Sequence, residues 1–106
     1  MSEVVPPVLI FEGLDLAFYG AVAKAQVELE AIDVRDGIYT GYDSEGRLLT
    51  LETQGEDVII SAAESESRHF EELKEKMLTY LWAIGDPAGT NPNLDFPELL
   101  AACNHR

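Results

Sequence analysis

The sequence predicts an α+β protein, an antiparallel sheet built in the order β-α-β-β-β-α-α with helices packed on one face. Three observations predict it. Residues 37–64, GIYTGYDSEGRLLTLETQGEDVIISAAE, read as three consecutive strands joined by two tight turns. The runs after Gly20 and from Phe70 to Ile84 repeat apolar residues at three- and four-residue steps, the period of a helix. At 106 residues and 46% apolar, the chain has room for one domain, residues 1–106, whose core needs neither disulfide nor metal.

Taken in order, Pro6-Pro7 enforces an extended lead-in to the apolar run Val8-Leu9-Ile10-Phe11, which Gly13 interrupts. Residues 14–19, LDLAFY, alternate at their start as a strand does, while Asp15 as the cap of a helix beginning at Leu16 is the other reading. From Gly20, AVAKAQVELEAI is rich in helix formers and places Val22, Ala25, Leu29 and Ile32 on one face, predicting a helix of about three turns that ends near Asp33.

Asp43-Ser44-Glu45-Gly46 then has the chemistry of a hairpin turn: an Asx acceptor first, and a glycine last, where a left-handed residue is needed. The resulting register sets Tyr39 and Gly41 against Leu51 and Leu49 on a core face, and Ile38, Thr40 and Tyr42 against Glu52, Thr50 and Leu48 on the other. After Gln54-Gly55, the third strand puts Val58, Ile60 and Ala62 on one side.

Ser65 or Ser67 offers a cap for the longest helix. Its stripe is Phe70, Leu73, Met77, Leu81 and Ile84, widened by Leu78 and Trp82. Gly85 ends it, residues 86–93 form a loop by composition, and Asp95-Phe96-Pro97-Glu98 opens a final short helix with a capping-box pattern, carrying Leu99, Leu100 and Cys103.

Charge and chemistry narrow the function. Twenty acids against seven bases give −13, made up of −5 over residues 1–36, −5 over 37–64 and −3 over 65–106. Nucleic acid is an unsuitable partner, since phosphate affinity comes from Lys and Arg. No apolar run approaches the roughly 20 residues of a membrane span. The lone Cys103 and the acidic, proline-containing start MSEVVPP point to a reducing cytoplasm.

Catalytic patterns are sparse. His69, among Glu66, Glu71 and Glu72, reads as an exposed polar contact. Cys103 and His105 lack the second Cys/His pair of a zinc site. The Asp43–Gly46 turn meets too little of the calcium-loop pattern. The chain is therefore read as non-enzymatic, with no cofactor and no metal.

What remains is a surface. The carboxylates Asp43, Glu45, Glu52, Glu56, Asp57, Glu64 and Glu66 follow the strand ends with only Arg47 among them, beside Ile38, Tyr42 and Leu48. Apolar anchors rimmed by acids suit a basic protein, and Tyr42, Asp43, Glu45, Leu48, Glu52, Glu56 and Asp57 are the expected contact residues. The competing readings are that the acidity serves solubility alone, that the domain pairs with a second copy as a homo-dimer, or that the sheet lines a small-molecule site.

The segment Tyr42-Asp43-Ser44-Glu45-Gly46-Arg47-Leu48-Leu49, following Ile32-Asp33-Val34, resembles small bacterial proteins, some of them similar to the immunity proteins of polymorphic-toxin systems. The resemblance covers residues 14–63 and is carried by turn chemistry. It implies a cytoplasmic antidote that neutralises one cognate toxin by occluding its active site, and it implies no particular binding residues.

Overall fold

Val8-Leu9-Ile10-Phe11 is four apolar residues in a row, and because a strand points successive side chains to opposite faces, such a run must be covered on both. The computed structural model, which describes residues 4–62, 68–91 and 93–104, shows this. Strand β1 (Val8–Glu12) lies at the centre of a three-stranded antiparallel sheet, between β2 (Asp15–Tyr19) and β3 (Tyr39–Tyr42). Val8 and Ile10 belong to one buried cluster, Leu9 and Phe11 to another.

Against Val8 and Ile10 pack helices α1 (Val22–Glu28) and α2 (Ala31–Arg35), with the hairpin of β4 (Thr50–Gln54) and β5 (Asp57–Ser61). Against Leu9 and Phe11 pack α3 (Phe70–Ala83) and α4 (Phe96–Asn104), through Leu73, Met77, Leu81, Leu99 and Cys103. Burying each of these large side chains contributes about 1.5–3 kcal/mol.

The α+β class holds, with helices and antiparallel sheets, but the arrangement differs in four ways. First, Gly13-Leu14 is a two-residue hairpin turn with Gly13 at φ 60°, so residues 8–19 make two paired strands, Val8 opposite Tyr19 and Glu12 opposite Asp15. Residues 15–19 are thus strand, with Leu14 in the turn, and the order begins β-β. Second, the single helix expected after Gly20 is broken at Leu29 and Glu30, both in extended backbone. Nothing in that stretch breaks helices; the kink lets Leu29 and Ala31 both enter the core, at 7% and 6% exposure, and packing overrides propensity. It also turns Ile32, expected on the apolar face, out to solvent.

Third, the meander is not one sheet. Its first turn forms as expected: the Gly46 N–H donates to the Asp43 carbonyl at 3.0 Å, Gly46 sits at φ 78°, and Leu49 N–H donates to Gly41 O at 2.8 Å. Beyond that point β3 pairs with β1 and β4 pairs with β5, so the strands part into two sheets. Fourth, helices cover both faces of the three-stranded sheet, not one. The expected core residues Gly41 and Leu49 are buried and Tyr39 and Leu51 half-buried. Tyr42, on the opposite face, is wholly buried too, because β1 and α3 close that side.

The long helix buries Leu73, Met77 and Leu81 as expected, but Trp82 is 68% exposed, and Phe70 and Ile84 also reach solvent. Its expected caps, Ser65 and Ser67, lie outside the described residues; at its start the His69 N–H donates to the Gly46 carbonyl at 2.7 Å. The loop after Gly85 contains a 3-10 turn, Pro87–Thr90, started by Asp86, whose Oδ1 accepts from Ala88 N–H at 2.9 Å. Gly89 of that turn lies so close to α3 that a Cβ there would come within 2.4 Å of Trp82 N. The capping box forms reciprocally: Glu98 N–H donates to Asp95 Oδ1 at 3.0 Å, and Asp95 N–H to Glu98 Oε1 at 3.5 Å.

Candidate protein-binding surface

The seven residues expected to bind a partner separate into three groups. Tyr42 and Asp43 are buried at 0% exposure and cannot meet a partner. Tyr42 packs edge-on against Phe11, ring centres 5.9 Å apart, and its hydroxyl donates to the Glu72 carboxylate. Burial, and then the Glu72 carboxylate, raise the pKa of that hydroxyl well above the usual tyrosine value.

Asp43 is the hub of the first turn. Its Oδ1 accepts from the N–H groups of Glu45 and Arg47, both at 3.0 Å, and its Oδ2 accepts from Val5 N–H at 3.2 Å. The Arg47 guanidinium closes on Oδ2 through Nε at 3.0 Å and Nη2 at 2.8 Å. One carboxylate thus holds the turn, the entering chain and the one cation of the acidic series. The signal was present in the sequence as an Asp and an Arg four residues apart across the turn.

The second group, Glu45 and Leu48, flanks the first turn. Glu45 is half-exposed and faces Arg68 at 3.6 Å, and Leu48 is 36% exposed. The third, Glu52, Glu56 and Asp57, is exposed on the β4–β5 hairpin, where Glu56 pairs with Arg35 at 3.8 Å and Arg35 also donates to the Gly55 carbonyl. Glu45 and Leu48 precede β4 and Glu56 and Asp57 follow it, at opposite ends of a strand of about 17 Å at 3.4 Å per residue, with Glu52 midway along it. The two ends do not form one patch.

The hairpin acids do have apolar neighbours. Between α1 and β5 runs a groove of about 500 Å³ whose walls include Ala23, Gln26 and Val27 on one side and Glu56, Asp57 and Ile59 on the other. Val27 is 84% exposed, and Ile59 is turned outward opposite Glu52. Gln26 ties the walls together, its Oε1 accepting from Ile60 N–H at 3.0 Å. Periodicity marks neither residue: Val27 falls off the apolar face of α1, and Ile59 lies on the face of β5 opposite Val58 and Ile60. Ile59 was the one apolar residue on the solvent side of an otherwise alternating strand.

Two further hollows lie along α3. One, of about 330 Å³, sits between the β1–β2 turn and the helix and is lined by residues including Phe11, Leu14, Glu72 and Glu75; Lys76 Nζ rests 5.5 Å above the Phe11 ring. The other, of about 250 Å³, adjoins it and includes Leu78, Thr79, Trp82 and Gly89.

Cys103 is buried, its Sγ 4.0 Å from the Met77 carbonyl oxygen, and burial followed by the Asp86 charge pushes its pKa up to about 12. At neutral pH it is a thiol, not the thiolate a nucleophile needs. His69 is half-buried immediately before α3, and His105, Glu64 and Glu66 lie outside the described residues. Among the described residues no group of three or more His, Cys, Asp or Glu is placed to hold a metal ion, and no helix is long and apolar enough to cross a membrane. Comparison with protein-family models, with curated proteins and with solved structures finds no match to this chain.

Proposed function

We propose that the protein is a non-enzymatic binding domain that captures a basic protein at the α1–β5 groove. The observation that carries this reading is the juxtaposition of two outward aliphatic side chains, Val27 and Ile59, with the carboxylates of Glu52, Glu56 and Asp57. Recognition surfaces combine an apolar anchor, which supplies affinity, with a charged rim, which supplies steering. A net charge of −13 extends that steering over the whole molecule. The resemblance of residues 14–63 to small bacterial proteins of the immunity type makes a cognate toxin the favoured partner, held in the cytoplasm until release.

The test uses the full chain as bait in an extract of its source cell. Wild type should retain a basic protein that salt elutes. Val27→Asp should lose it, and the pair Glu56→Gln and Asp57→Asn should slow its association more than Glu71→Gln with Glu98→Gln, two exposed acids on other helices. Equal retention by all variants would refute the groove, and retention that salt does not weaken would refute the role of charge.

A further inference from the structure

Strand β5 leaves half of its backbone hydrogen-bonding groups outside its sheet. Its ladder with β4, turned at Gly55-Glu56, sets Gln54 opposite Asp57 and Leu51 opposite Ile60. In an antiparallel ladder, opposed residues alternate between pairs that exchange both hydrogen bonds and pairs that exchange none. Ile60 is of the second kind, since its N–H turns away from β4 and donates to Gln26 Oε1 at 3.0 Å. Val58, two residues back, therefore turns its N–H and C=O the same way, and the Ile60 C=O joins them. The groove of about 500 Å³ runs along this edge, with Val27 on one wall and Asp57, Val58 and Ile59 on the other. Among the described residues β4 and β5 make a sheet of two, so no strand lies there.

We propose that the basic partner enters this groove as an extended segment and adds to β5 as a third strand. The inference rests on the reading of the groove as the binding site, and names the form of chain that fits it. The backbone sets the form. An open row of N–H and C=O groups pairs with another extended backbone, whereas a helix already uses its own groups internally. β5 has neither the lysine nor the proline that commonly blunts an edge strand. The Gln26 amide oxygen already holds the position that a partner carbonyl would take on the Ile60 N–H, and a flexible side chain can yield it.

Charge sets the sign. Among the described residues the charged side chains lining the groove are Glu56 and Asp57, both acids. Asp57 is exposed, and the Glu56 side chain, at 94% exposure, meets Arg35 at 3.8 Å, so both remain open to a cation. A second copy of the chain, carrying the same −13, is repelled from this site. From Val58 to Ile60 is about 7 Å, the length of three residues of extended partner. Alternate side chains of those residues fall on the two faces of the sheet, one set beside Ile59 and the other toward Val27 of α1.

Titrating the isotope-labelled full chain with the blocked hexapeptide Lys-Val-Lys-Val-Lys-Val, followed by amide NMR, tests it. The Val58 amide should shift, and should exchange with solvent at least about tenfold more slowly in the complex. The same peptide methylated at every backbone nitrogen keeps its side chains and charge but loses every donor, and should bind at least about tenfold more weakly. Glu56→Gln with Asp57→Asn should weaken binding of the unmethylated peptide. Gln26→Ala, which removes the competitor for the Ile60 N–H, should not. No shift up to about 1 mM peptide would overturn the proposal. So would a bound peptide that leaves Val58 exchange unchanged, equal affinity after methylation, or weaker binding by Gln26→Ala. The reading of the groove fails by another result, retention of the extract's basic protein by Val27→Asp. If Val27→Asp loses that protein while Val58 stays unprotected in the wild-type complex, the groove stands and the added strand falls.

Discussion

Replacing Asp43 by alanine should be among the most damaging single changes the fold can suffer, although the residue reads as a surface acid. The substitution removes the acceptor of three backbone N–H groups, on Val5, Glu45 and Arg47, and the carboxylate that the Arg47 side chain grips at two points. Hydrogen bonds to a charged acceptor contribute about 1.5–3 kcal/mol each, but the three are not equally lost. Val5 and Glu45 are exposed, so water can satisfy their N–H groups in the variant. Arg47 is 7% exposed, and water cannot readily reach it. The cost is thus dominated by the buried pair, about 3–5 kcal/mol for removing one partner. Asp43→Asn keeps an oxygen for the Glu45 and Arg47 N–H groups and should cost less. The assay is urea unfolding: with a slope of about 1–2 kcal/mol/M the Ala variant should lose roughly 2 M from its midpoint, with Asn between it and wild type. A midpoint for Asp43→Ala within about 0.3 M of wild type would mean that the carboxylate is solvated and the turn held by Gly46 alone.

Two other predictions rest on the α3 side of the sheet. Gly89→Ala should destabilise by about 1–3 kcal/mol, because the new Cβ meets backbone, Trp82 N at 2.4 Å and Trp82 Cα at 2.7 Å, and backbone cannot step aside as a side chain can; a melting temperature equal to wild type would show that the 3-10 turn does not bear on α3. The buried thiol predicts an alkaline limit: the folded pKa of Cys103 is raised from 9.0 to about 12, so its contribution is complete below pH 9 and is lost as pH rises from 9 toward 12. Cys103→Ala should remove the part of the decline that begins near pH 9 and leave the part above pH 10 that Tyr42, also raised, contributes, and an unchanged pH curve in that variant would refute the burial of the thiol.

What was legible in the sequence was local. The Asp43–Gly46 turn and the Asp95–Glu98 box are decided within four residues, by side-chain acceptors and a glycine, and both form as their chemistry dictates. The helical stripe Leu73, Met77 and Leu81 is decided by period alone. What was not legible depends on residues far apart in the chain. The register around Gly41 and Leu49 follows from the turn, but the burial of Tyr42 does not, because nothing near it shows that β1, more than 30 residues earlier, pairs along its strand as Leu9 opposite Tyr42. The break at Leu29 and Glu30 likewise has no local breaker. Gly13-Leu14 hid a hairpin, since leucine is not a turn residue and only the pairing of Glu12 with Asp15 reveals it.

The candidate surface shows the same division between a global property and its placement. A charge of −13 is certain from composition, but composition does not say which acids face outward. Asp43 is withdrawn into the turn, Glu72 is engaged by Tyr42, and Glu45 and Glu56 stand opposite Arg68 and Arg35. Three of the seven carboxylates of the expected series, Asp43, Glu45 and Glu56, are therefore partly or wholly occupied within the fold. Net charge still accelerates encounter with a basic partner, since steering depends on the summed field and not on any one acid. It cannot position that partner. Position has to come from the apolar side chains that the acids surround, and on the groove side these are Val27 and Ile59. Substituting acids should therefore change association rates and salt dependence, while substituting Val27 should change the rate of dissociation.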